Sequence, residues 1–105
     1  MKQVDFDVCV ESRMDLCKRV LTAKGTEYAD DDRLSNFKKA AGLRGGTPES
    51  ALWGMAVKHI VSINDMIDDL SYGINYPMCL WEEKIGDTLN YLFILRAQLQ
   101  ERKDK

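Results

Sequence analysis

The sequence predicts an all-α fold, a single bundle-like domain of four helices in which the last two are long. Apolar residues recur at the three- to four-residue spacing of a helix along most of the chain. The chain contains two prolines, Pro48 and Pro77, and each lies where a helix is expected to begin. A length of 105 residues suits one hydrophobic core, so the domain is expected to span residues 1–105.

The first half of the chain predicts two helices. One is expected over about residues 8–24. The preceding VDFDVCV alternates like a strand, but no other segment could pair with it, so it is interpreted as an extended lead-in or a first helical turn. A shorter helix is expected over about 32–43, with Asp31 or Asp32 as its N-cap.

The second half predicts two longer helices. Thr47 is expected to cap the third helix, over about 48–72, and Pro48 suits its first helical position because that position needs no backbone N–H. Pro77 is expected to open the fourth helix, over about 77–102.

Both long helices carry apolar side chains on more than one side. The third helix has a wide apolar face, and Val57 and Val61 lie opposite to it. The main apolar face of the fourth helix is expected to comprise Met78, Trp81, Ile85, Leu89, Leu92, Leu95 and Leu99, and a second strip holds Glu83, Asp87, Asn90, Tyr91 and Ile94. A single chain of this size has trouble burying so much apolar surface, so we expect a homo-oligomer, either a dimer or a tetramer.

Composition excludes some classes of partner. The net charge is −2 and the pI about 5.3, so neither nucleic acid nor an anionic membrane surface is an expected partner. No window approaches the roughly 18 apolar residues of a membrane span. The three cysteines form no CxxC pair and are expected to be reduced and mostly buried, as in a cytoplasmic protein.

Acidic residues offer a candidate metal site. Asp65 and Asp69 come from the third helix, and Glu83 and Asp87 from the fourth, so an antiparallel pairing would bring both sets toward the connected end. Magnesium prefers a few carboxylates together with water and substrate phosphates. The alternative is that these acids lie on polar strips and are simply solvated.

Two further features have a functional and a structural interpretation. His59, the single histidine, is either a hydrogen-bonded core residue or a catalytic base. In KGTEYADDDRLSNFKK, Lys24 and Arg33 could meet phosphate, Tyr28 could stack on a base, and Asn36 could contact a base edge. The same stretch is also compatible with an acidic turn and a helix cap, and no GxxxxGK[ST] phosphate loop is present.

Three strings carry a resemblance over about residues 18–100: KGTEYADDDRLSNFKKAAGL, ALWGMAVKHIVSINDMIDD and WEEKIGDTLNYLFIL. They resemble a group of small helical proteins of uncharacterised function encoded by bacteriophages and prophages. The resemblance implies a cytoplasmic location in a bacterial host.

More remotely, the chain is similar to MazG-like all-α nucleoside triphosphate pyrophosphatases and to phage nucleotide-modification-associated domains. KIGDTLNYL is similar to a helix of that family, which implies that Gly86 and Asp87 occupy corresponding positions, with Asp87 as a magnesium ligand. The chain departs from the family at Lys84, where an acid is expected, and its third helix lacks the family's Glu-x-x-Glu pair. Lysine there could neutralise the site and leave a protein that binds nucleotide without hydrolysing it.

The resemblance therefore implies a phage-derived nucleotide-handling protein, with magnesium-dependent pyrophosphohydrolysis of nucleoside triphosphates as its candidate reaction. Lys58, Lys84 and Tyr91 complete the expected nucleotide-binding residues. The alternative is a non-enzymatic interaction module that binds a host protein or sequesters a nucleotide, or an oligomeric structural domain without a ligand.

Overall fold

The computed structural model describes residues 1–27 and 32–105, with side chains described for residues 1–23 and 32–105. The described residues form four helices and contain no strand, which confirms the all-α prediction. The helices are α1 (Gln3–Glu27), α2 (Ser35–Arg44), α3 (Pro48–Leu70) and α4 (Met78–Lys103). Within the described ranges, no helix has both the length and the apolar content needed to cross a membrane.

The described backbone divides into two compact units, residues 1–33 and residues 34–105. The first unit contains α1, which begins earlier than predicted because VDFDVCV is helical. The alternating apolar residues of VDFDVCV are exposed on this helix, at Val4, Phe6, Val8 and Val10, and so is Met14 further along. Cys17 is buried as expected, whereas the same prediction is wrong for Cys9 and Cys79, which are exposed.

The second unit begins with α2, which starts three residues later than predicted. Its N-cap is Leu34, and no side chain caps the helix, so the predicted cap at Asp32 is wrong. The alternative cap, Asp31, lies outside the described residues. Arg44 lies in the last turn, where a cation complements the negative end of the helix dipole.

The start of α3 confirms the predicted cap. The Thr47 hydroxyl accepts a hydrogen bond from the Ser50 amide at 3.1 Å, and the Ser50 hydroxyl accepts one from the Thr47 amide at 3.1 Å. These reciprocal bonds form a capping box and satisfy backbone donors that would otherwise lack partners. The start of α4 differs slightly from the prediction, because Pro77 is its N-cap rather than its first helical residue.

The core of the second unit lies where α3 packs against both α2 and α4. Its buried centre is Leu34, Phe37 and Leu52. Partly buried side chains from the two long helices surround that centre: Met55, Tyr91, Ile94 and Leu95. This packing fixes the register of α3 relative to α4, and so determines which of their side chains face one another.

The face of α4 that packs in this core differs from the expected one. Tyr91 and Ile94, predicted to lie on a secondary strip, pack against the core. Most of the predicted main face is exposed instead, at Met78, Ile85, Leu92 and Leu99. Both faces of α4 carry large apolar side chains, so periodicity alone could not decide which of them meets α3.

Polar contacts join the beginning of α3 to the end of α4. Arg102 donates two hydrogen bonds to the Glu49 carboxylate, at 2.9 and 2.7 Å. Gln98 is buried and donates from its side-chain amide to the Pro48 carbonyl at 3.1 Å. These bonds fix an antiparallel pairing, because residues near the start of one helix contact residues near the end of the other.

Candidate functional site

The antiparallel pairing of α3 and α4 brings His59 and Asp87 together. His59 Nδ1 lies 3.8 Å from Asp87 Oδ2, and the two side chains are 16% and 39% exposed. The pair is therefore partly shielded yet reaches the surface. A carboxylate in this position favours the Nδ1–H tautomer of the imidazole, which leaves Nε2 as the ring nitrogen able to take a proton.

Two polar atoms in this part of the molecule are buried without a hydrogen-bond partner. One is His59 Nδ1, and the other is Oδ1 of Asn90, which lies one turn along α4 from Asp87. Buried polar atoms without partners are uncommon in folded proteins because their desolvation is uncompensated. The gap from Nδ1 to Asp87 would need to shorten by roughly 0.8 Å to become a hydrogen bond.

Tyr91 completes the cluster, one turn beyond Asp87. Its ring centroid lies 5.5 Å from that of His59, with the ring planes tilted by 37°. Tyr91 also packs against the hydrophobic core, so the position of the His59 ring is supported by the core. Gly86, whose occurrence inside a helix is otherwise unfavourable, is buried beside Asp87.

The other predicted metal ligands do not join Asp87 in a cluster. Asp69 accepts a hydrogen bond from the Tyr76 hydroxyl, and this bond, more than any other cause, raises the pKa of Tyr76. Asp65 and Glu83 are exposed. Among the described residues, no group of three or more His, Cys, Asp or Glu side chains could hold a metal ion.

The predicted nucleotide-binding residues fall in different places. On α4, Lys84 is half-buried one turn before Asp87, and Tyr91 lies beside His59. Lys58 is exposed and lines a pocket between α2 and α3, and Asn36 is exposed on α2.

Three predicted residues have no described position in this site. Arg33 belongs to the first unit, which is described by itself. The side chain of Lys24 and all of Tyr28 lie outside the described residues. Their assignment to nucleotide binding stays a prediction.

Sequence reasoning named His59 and Asp87 separately but did not pair them. The available signal was their similar distance from the short connection between α3 and α4, which an antiparallel pairing brings to the same level. Asn90 was placed on the correct strip of α4, but nothing in the sequence marked its carbonyl as unpartnered.

Comparison of the chain with models of protein families, with curated proteins and with solved structures finds no match. The resemblance to phage-encoded proteins and to MazG-like pyrophosphatases therefore stays a prediction.

Proposed function

We propose that the chain is a nucleotide-handling protein of the kind that phages encode, and that it hydrolyses a nucleoside triphosphate to a monophosphate and pyrophosphate. The observation that carries the proposal is the His59–Asp87 pair on facing helices, partly shielded and flanked by the ring of Tyr91. Partly buried histidine–carboxylate pairs suit general base catalysis near neutral pH.

In this proposal His59 and Asp87 act as a unit on the attacking water. Asp87 lies 3.8 Å from Nδ1 and would orient the imidazole once that gap closes to a hydrogen bond. Nε2 then takes a proton from a water molecule as the water oxygen bonds to the α-phosphorus. The bond from that phosphorus to the bridging oxygen breaks, and pyrophosphate leaves. Positioned general bases contribute about 10²–10⁴-fold to the rate of such steps.

Among the described residues, one carboxylate at the site, that of Asp87, could bind a magnesium ion. The described residues do not build an all-protein cage, but magnesium commonly takes one or two carboxylates together with substrate phosphates. Asp87 is the carboxylate that would hold the ion here. When bound, magnesium supplies charge that offsets the phosphate oxygens. Lys84, one turn away, adds positive charge on the same helix.

The test measures pyrophosphate release from a panel of nucleoside triphosphates with Mg²⁺ or Mn²⁺. We expect Asp87→Asn and His59→Gln each to lower the rate by about 10²–10⁴-fold while the far-ultraviolet circular dichroism spectrum is retained. Asp68→Asn is the matched control, because it makes the same change at an exposed acid of α3 and should leave the rate unchanged.

Two results would contradict parts of this proposal. If every triphosphate stays intact but nucleotides raise the unfolding temperature, the protein binds nucleotide without hydrolysing it. If nucleotides neither react nor stabilise the fold, nucleotide handling itself is excluded.

A second candidate function is a non-enzymatic interaction module. The observations that favour it are made in each unit by itself: Phe6 and Met14 are exposed on α1, and Leu92 and Phe93 are exposed on α4. Exposed apolar side chains grouped on a helix are typical of association sites in soluble proteins. We propose association with a host protein or with a second copy of this chain. The spacing of the exposed apolar residues on α4 favours a second copy.

A further inference from the structure

A pocket of about 510 Å³ lies between the C-terminal half of α2 and the first half of α3. Its volume is within the range of about 300–1,000 Å³ that is usual for small-ligand sites. Small residues form much of its wall, and the lining residues are Ala40, Ala41, Leu43, Arg44, Gly45, Ser50, Ala51, Gly54, Met55 and Lys58. This pocket is separate from the His59–Asp87 pair, since neither of those residues lines it.

The charges that line the pocket are all positive. Arg44 contributes from the last turn of α2, and Lys58 contributes from α3. Within the described part of the chain, neither side chain forms an ion pair, and no carboxylate lines the pocket. The pocket therefore has a positive potential that its own lining does not neutralise.

A second pocket in the same unit is also lined by cations but does not have this excess of unpaired positive charge. That pocket, of about 400 Å³, lies near the end of α4 and is also lined by cations. There, however, Lys38 pairs with Glu101 at 2.7 Å and Arg102 pairs with Glu49 at 2.7 Å. Its cations already have anionic partners, whereas Arg44 and Lys58 are available for a ligand anion.

The shape of the first pocket also leaves room for the uncharged part of a ligand. A Cβ atom added at Gly54 would meet no atom within 4 Å, so the open space reaches the α3 backbone. Ala51 and Met55 supply apolar surface next to it. The Ser50 hydroxyl is already hydrogen-bonded in the α3 cap. A ligand would therefore be recognised by the two cations and by the apolar side chains of the wall.

We propose that this pocket between α2 and α3 binds a phosphorylated small molecule, with Arg44 and Lys58 contacting the phosphate and the organic group lying against Ala51, Gly54 and Met55. Guanidinium and ammonium groups are the side chains best suited to phosphate oxygens. The inference does not require hydrolysis at Asp87, because none of its evidence comes from the facing surfaces of α3 and α4.

The test is isothermal titration calorimetry of the full chain with ATP, with pyrophosphate and with adenosine. We expect ATP to bind, pyrophosphate to bind more weakly, and adenosine to bind at least tenfold more weakly than ATP. Arg44→Gln and Lys58→Gln should each weaken ATP binding by about 10-fold or more, because each removes one charge-assisted contact. Lys39→Gln is the matched control, since Lys39 is exposed on α2 and does not line the pocket.

A steric pair of variants tests the same site independently of charge. Gly54→Leu should block the pocket and abolish the component of ATP binding that depends on Arg44 and Lys58, whereas Gly42→Leu makes the same change at an open position of α2 outside the lining and should not. Absence of ATP binding to the unmodified protein, or unchanged binding in the Arg44→Gln/Lys58→Gln double variant, would overturn the proposal. ATP binding here should persist in Asp87→Asn, so loss of turnover in that variant reports on the His59–Asp87 pair alone.

Discussion

The ionisation of Glu49 is coupled to the fold through its contact with Arg102. The hydrogen bond from Arg102 is the largest cause that lowers the pKa of Glu49 from its ordinary value near 4.5 to about 2. The folded state therefore favours the ionised carboxylate. Its contribution to stability is fully present above about pH 4.5 and is lost as the pH falls toward 2.

We expect Glu49→Gln to lower the unfolding temperature at pH 7 and to make stability less dependent on pH between about 4.5 and 2. The measurement is thermal unfolding across that pH range, followed by circular dichroism. Glu83→Gln serves as the control because Glu83 is exposed and forms no ion pair within the described residues. Equal pH dependence in Glu49→Gln and the unmodified protein would contradict the coupling.

Residue-level chemistry was only partly predictable from sequence. Asp87, His59 and Tyr91 were each singled out, because their types or their motif context marked them. Their proximity depends on the relative register of α3 and α4, which no local pattern encodes. Arg44 was missed for the same reason, since its significance arises only from sharing a pocket with Lys58.

Helix boundaries were the most predictable features at the scale of single elements. Thr47 and Pro48 predicted the start of α3 correctly, because capping and proline geometry are local effects. The Asp32 cap failed because helix α2 begins after Leu34 without any side-chain cap. The prediction of which α4 face meets the core was wrong because that choice depends on the helix against which α4 packs.

Two glycines of the second unit should respond in opposite ways to alanine. Gly54 lies inside α3, and an added Cβ there meets no atom within 4 Å, so Gly54→Ala should stabilise the protein by about 0.5–1 kcal/mol. Gly73, in the connection to α4, has a φ of 76°, so Gly73→Ala should destabilise by about 1 kcal/mol. Urea unfolding measures both changes, and a destabilising Gly54→Ala would show that the pocket wall is closer than described.

At the scale of the whole molecule, the face of α4 that points away from α3 carries apolar side chains that a single chain leaves exposed. Four exposed apolar residues repeat there every seven positions, at Met78, Ile85, Leu92 and Leu99. A seven-residue apolar repeat is the pattern by which two helices pair along a shared seam. Glu82 and Arg96 lie on the same face, toward opposite ends of the helix, so the face is complementary in charge to an antiparallel copy of itself.

We therefore expect an antiparallel homodimer in which Glu82 faces Arg96 of the second copy and Leu89 lies opposite Leu89 of that copy. Glu82→Arg and Arg96→Glu should each weaken the dimer by placing like charges together, whereas the double variant should restore it. Sedimentation equilibrium over a range of concentrations measures the dissociation constants. A parallel dimer would place Glu82 next to its own copy, so the double swap would not rescue the single variants. A chain that stays monomeric at all concentrations would contradict the predicted homodimer.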